Sequence, residues 1–72
     1  MQDILINKEP VELYKILKFM GMSASGADAK NRVADGMVKV NGQIELQKRK
    51  KIMSGDVIEF DGQKFKARLE SI

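Results

Sequence analysis

The 72-residue chain contains no cysteine, no histidine and no tryptophan, and only one proline. Without thiols there is no disulfide to staple so small a fold. The lack of both thiolate and imidazole removes the usual ligands of zinc, copper and haem sites, and the usual base that activates a serine or cysteine nucleophile. No metal and no cofactor are therefore expected, and carboxylate, lysine or tyrosine chemistry on so little wall makes an enzyme an unfavoured reading. Long apolar runs are also missing: none approaches the roughly 18 residues of a membrane span. The first ten residues carry Asp3, Lys8 and Glu9 rather than a basic flank and an apolar stretch, so they do not read as a signal peptide. A cytoplasmic protein with no membrane partner is the expectation.

What is present is the composition of a soluble globular chain, 43% hydrophobic and 32% charged, with room for one domain over residues 1–72 and one small core. The net charge of +3 is unevenly distributed. Six cations face six anions through residue 47, and three face four from residue 52 onward, so the excess lies in Lys48-Arg49-Lys50-Lys51. Four adjacent cations repel one another unless solvent or an anion faces them.

Asp3 to Asn7 reads as an edge strand or extended arm. Pro10 suits the first position of a helix, where its missing N–H costs nothing. Leu13, Ile16, Leu17 and Met20 then line one helical face, with Lys15 and Lys18 outside it and Gly21 as the stop. Ser25 with Asp28 three residues on marks the start of a second helix through Ala27 to Ala34, ended by Gly36. Val38 to Glu45 alternates around Asn41-Gly42 and predicts a hairpin. A second hairpin is predicted for Val57 to Leu69, turned at Asp61-Gly62. The fold expected is α+β: two packed N-terminal helices followed by a small antiparallel β-sheet with two hairpins. Phe19, Phe60 and Phe65 fall in patterns that read as core, leaving no evident base-stacking platform. Met20, Met22, Met37 and Met53 read as gap fillers.

Two nucleotide- and acyl-transfer motifs fail. Gly21 and Gly26 have P-loop spacing, but Ala27-Asp28 stands where Lys-Ser/Thr is needed. Gly21-Met22-Ser23-Ala24-Ser25 ends in serine and has no histidine to serve Ser23.

Leu13, Leu17 and Gly21, then Ser25, Asp28, Ala29, Lys30 and Val33, then Gly36-x-Val38-Lys39-Val40-Asn41-Gly42 and Gly55-Asp56-x-Ile58 form one arrangement. Over about residues 11–60 it resembles the S-four (S4) RNA-binding domain, in particular its small stand-alone bacterial members. The resemblance implies two packed helices followed by strands, and an RNA surface on the second helix, the adjoining strand and flanking basic residues. It brings Lys30 and Lys39 forward as RNA-binding positions. Three residues depart from the family pattern: Glu12, Gly26 and Asn31 stand where arginine is common.

The charge balance singles out Lys48, Arg49, Lys50 and Lys51 as the first choice for phosphate contacts. Arg49 can also fork onto a phosphate or stack on a base. Lys15 and Lys18 extend the patch. The family resemblance implies structured RNA of the ribosomal or transfer class as the partner and a ribosome-associated protein, a monomer that binds through backbone and shape. The competing readings are an adaptor whose basic loop docks on an acidic protein and a helix-turn-helix DNA-binding module. Ala27, Ala29 and Ala34 leave the second helix few side chains with which to read bases.

Overall fold

The computed structural model describes residues 1–70. In chain order the elements are β1 (Gln2–Ile6), β2 (Val11–Glu12), α1 (Leu13–Phe19), α2 (Gly26–Ala34), β3 (Val38–Val40), β4 (Gln43–Ile44), β5 (Lys51–Ile52), β6 (Val57–Phe60) and β7 (Gln63–Leu69). Five strands form one sheet in the order β1-β7-β6-β3-β4, and β2 pairs with β5 in a separate two-stranded ladder.

The α+β class holds, but the helices-first, all-antiparallel arrangement does not. A strand comes first, and β1 runs parallel to β7, with Gln2 opposite Phe65 and Ile6 opposite Leu69. The sheet is therefore mixed. Ile4 and Ile6 supply the reason: both are buried in the common core, so the N-terminal segment is held as a strand rather than left as an arm. The turns lie at Asn41-Gly42 and Asp61-Gly62, where all four residues have positive φ. The first hairpin is shorter than expected, since β4 keeps only Gln43 and Ile44.

Pro10 is not the first helical residue. The chain stays extended through Val11 and Glu12, which pair with Ile52 and Lys51, and α1 begins at Leu13. Both helices end alike. Gly21 and Gly36 adopt φ of 72° and 77°, and the amides just beyond, Met22 and Met37, donate back to the carbonyls of Leu17 and Arg32. These are Schellman closures, which favour glycine at the left-handed position.

Leu13, Ile16 and Leu17 of α1 pack with Ala29 and Val33 of α2 onto one face of the sheet, formed by Ile4, Ile6, Val38, Val40, Ile58, Phe60, Phe65 and Ala67. Phe19 is an exception to the core expectation: it is 77% exposed, one step outside the stripe that α1 buries. Met20 and Met22 pack on the core, whereas Met37 and Met53 are exposed and fill no gap. Among the described residues no helix is long and apolar enough to cross a membrane.

The start of α2 is closed by its own side chains. Ser25 Oγ accepts from the Asp28 amide at 3.1 Å, and the Asp28 carboxylate accepts from the Ala24 amide at 3.0 Å and from Arg32 Nε at 3.2 Å. The Ala24 amide bond, followed by Arg32, holds the Asp28 carboxyl below its ordinary 3.8. A carboxyl depressed by folding contributes stability that is present above its unfolded value and lost as pH falls through its folded value. Urea midpoints should therefore drop between about pH 5 and about pH 2. Asp28→Asn should flatten part of that drop, and an unchanged pH profile would remove Asp28 from the cause.

Candidate nucleic-acid interface

The helix-side surface is organised around Tyr14, in the first turn of α1. Its half-buried ring is faced by cations from three segments: Lys30 Nζ of α2 at 4.6 Å from the ring centre, Arg49 Cζ of the loop before β5 at 5.6 Å, and Lys15 Nζ of α1 at 5.9 Å. The ring lies along the first turn of α2. A Cβ placed on Gly26 would meet Tyr14 Cε2 at 3.7 Å, an ordinary contact distance.

The loop that carries Lys48, Arg49 and Lys50 is docked rather than free. α1 has no side-chain cap at Glu12, and its first amides are instead satisfied by the loop's carbonyls: Leu13 N–H donates to Lys50 at 2.8 Å and Tyr14 N–H to Lys48 at 3.2 Å. The ladder between β2 and β5 then sets Lys51 opposite Glu12. These bonds use backbone atoms, so the side chains of Lys48, Arg49 and Lys51 remain exposed while Lys50 is half-buried.

The loop is less uncompensated than its sequence suggests. Glu12 Oε1 lies 3.2 Å from Lys15 Nζ and Glu12 Oε2 lies 3.3 Å from Arg49 Nη1. The hydrogen bond from Lys15, aided by Arg49, holds the Glu12 carboxyl below its ordinary 4.5 despite partial burial. Among the described residues, Glu12 is the carboxylate in ion-pair reach of this cluster, through Lys15 and Arg49.

The structure brings together Lys15, Lys30 and the Lys48 to Lys51 run. Lys18 is exposed one helical turn beyond Tyr14, at i+4, and so lies on the same side of α1. Lys39 does not join them. Its neighbours Val38 and Val40 point into the core beneath the helices, so Lys39 faces the other side of the sheet, with Ile44 and Glu59 as its cross-strand neighbours. Lys64, Lys66 and Arg68 share that open face, and Arg68 is paired with Asp3 at 2.9 Å. Arg32 is likewise engaged, bonded to Asp28 and lying over the Phe60 ring.

Sequence reasoning missed Tyr14 as the centre of the cluster and the double pairing of Glu12. The loop and Glu12 are 37 residues apart, and no local pattern announces such a contact. Asn41 and Asp56, which carry the family resemblance, turn out to hold the scaffold. Asn41 Oδ1 accepts from the Val57 amide at 2.9 Å and its Nδ2 donates to Asp56 at 3.1 Å.

Comparison with known proteins agrees with this architecture. The family model described as the S4 domain matches residues 4–67. YbcJ of Escherichia coli strain K12 is 46% identical over 63 residues, which cover 86% of this chain and 90% of YbcJ. The solution structure of YbcJ, reported to reveal an ALFAL motif involved in RNA-binding, superposes with a TM-score of 0.70 over 94% of this chain and 87% of that one, at 42% identity. The 30S ribosomal protein S4e of Thermoplasma acidophilum gives a TM-score of 0.67 at 28% identity, over 82% of this chain and 31% of that one. Ribosomal large subunit pseudouridine synthase B of Xanthomonas campestris pv. campestris is 42% identical over 55 residues, 76% of this chain but only 11% of the enzyme. With a family match spanning nearly all of its sheet and both helices, the chain belongs to the S4 domain family.

Proposed function

We propose that the chain binds structured RNA without catalysing a reaction, as a cytoplasmic monomer, and that its target is of the ribosomal or transfer class. The observation that carries this reading is the convergence of α1, α2 and the docked loop on Tyr14, which brings Lys15, Lys30 and Arg49 around one ring, with Glu12 paired to Lys15 and Arg49 and with Lys48, Lys50 and Lys51 beside Arg49 in the chain. Uncompensated cations on a rigid base neutralise backbone phosphates and release their counterions. Lys48, Arg49, Lys50 and Lys51 make the main phosphate contacts, Lys30 and Lys15 flank them, and Lys18 extends the strip along α1. Lys39, on the other face of the sheet, contributes least. The RNA-binding motif named for YbcJ and the ribosomal setting of S4e support RNA as the partner.

Recognition rests on shape and backbone, because the phenylalanines offer no exposed row of rings and the start of α2 is already occupied by Asp28. A structured RNA should therefore displace a labelled RNA hairpin at much lower concentration than a DNA duplex of equal length. Equal competition would reduce the interaction to nonspecific charge attraction, and a preference for the DNA duplex would favour the helix-turn-helix reading instead.

A further inference from the structure

Glu12 occupies the position between two cations that a phosphate group would suit. Its carboxylate oxygens go to different partners, Oε1 to Lys15 at 3.2 Å and Oε2 to Arg49 at 3.3 Å, and those partners come from separate segments. Both cations also look onto the Tyr14 ring. Their side chains are 57% and 64% exposed, so an outside anion can reach them, whereas Glu12 is only 26% exposed and sits at the base of the pair. An ammonium has three donors and a guanidinium five. One oxygen on each leaves most of that capacity free.

The backbone at Glu12 is fixed by the β2–β5 ladder and by the start of α1. The carboxylate can therefore move aside by side-chain rotation alone. Exposed ion pairs of this kind are weak and easily exchanged. We propose that Lys15 and Arg49 form a phosphate seat that Glu12 holds occupied in the free protein, and that a backbone phosphate of bound RNA takes the seat by displacing the carboxylate. The RNA part rests on the reading of the preceding section; the seat itself requires only a phosphate.

Two consequences distinguish an occupied seat from a merely structural ion pair. Glu12 lowers affinity instead of supporting it. It also makes the salt dependence shallower, because its negative charge remains beside the bound phosphate and offsets about one protein cation. Glu12→Gln keeps the side chain's size and the β2 pairing while removing the competing charge. For a labelled RNA hairpin at about 0.15 M salt, the variant should bind roughly 3- to 10-fold tighter, with a slope of log K against log salt steeper by up to about one unit.

Asp61→Asn, in the turn between β6 and β7, makes the same change in net charge outside the cluster and should alter affinity by less than about 2-fold. Equal gains from the two variants, or unchanged or weaker binding by Glu12→Gln, would overturn the seat while leaving RNA binding intact. A titration with inorganic phosphate, followed by the Arg49 Nε–H resonance, tests the seat without RNA. Glu12→Gln should saturate at lower phosphate than the wild type, and identical curves would overturn the seat. Tighter phosphate uptake by the variant, with no RNA bound by either protein at low salt, would support the seat and reject the RNA reading.

Discussion

Asn41→Val should lower the stability of the domain by about 2 to 3 kcal/mol, one of the largest losses a single exposed position here can produce. Asn41 has φ of 53°, a region that a β-branched side chain resists at a cost of about 1 to 2 kcal/mol. The substitution also removes the bonds to the Val57 amide and to Asp56, the first leaving a backbone donor without its partner. Both bonds are exposed, so each contributes about 0.5 kcal/mol, at the low end for such bonds, and the two together about 1 kcal/mol. A 72-residue domain is stable by only about 4 to 10 kcal/mol, so the change consumes a large share. Asn41→Gly keeps the turn geometry and loses only the side-chain bonds, so its loss should be smaller, about 1 kcal/mol. Chemical denaturation of the three proteins separates the two contributions. A midpoint for Asn41→Val equal to wild type would mean that neither the turn nor the lock to β6 supports the fold.

The same residue shows why parts of this fold are legible in sequence. Asn41-Gly42 and Asp61-Gly62 announce their turns because few other pairs accept positive φ at both positions. Ser25 with Asp28, and Gly21 and Gly36, announce helix ends because the free amides and carbonyls there demand particular side chains or backbone conformations. What could not be read is pairing at a distance. Ile4 and Ile6 alternate around Leu5 and mark a strand, but nothing in them designates β7 as a parallel partner more than 60 positions away. The β2–β5 ladder has only two residues on each side, too few for any periodicity, yet it moves the start of α1 from Pro10 to Leu13. Phe19 reads as core by residue type, yet its place at the margin of the buried stripe leaves it exposed.

The candidate site divides along the same line. The run Lys48 to Lys51 is visible as charge, and the family resemblance brings Lys30 forward. Their common centre is not visible, since Tyr14, Lys30 and Arg49 meet only when α1, α2 and the loop are packed. Strand alternation alone could have separated Lys39 from the others. With Val38 and Val40 both apolar, the lysine between them must face away from the core on which the helices sit.

Replacing Lys48, Arg49, Lys50 and Lys51 together by Gln should weaken binding of an RNA hairpin about 10- to 100-fold at about 0.15 M salt, the largest effect expected on the proposed activity. The fold should survive, because α1 is capped by the carbonyls of Lys48 and Lys50, which the substitutions leave in place. Loss of the Arg49 pair with Glu12 is offset by relief of repulsion among four adjacent cations. Thermal unfolding of the variant is therefore the internal control. If the loop contacts about 2 to 3 phosphates, the slope of log K against log salt should become shallower by a little under one unit for each. Lys64, Lys66 and Arg68 offer a matched comparison. Their replacement by Gln removes nearly the same charge from the open face of the sheet, where Arg68 is already paired with Asp3, and should cost much less. An equal loss from the two variants would show that affinity follows total charge, and the helix-side surface around Tyr14 would then have no claim over the face that carries Lys39.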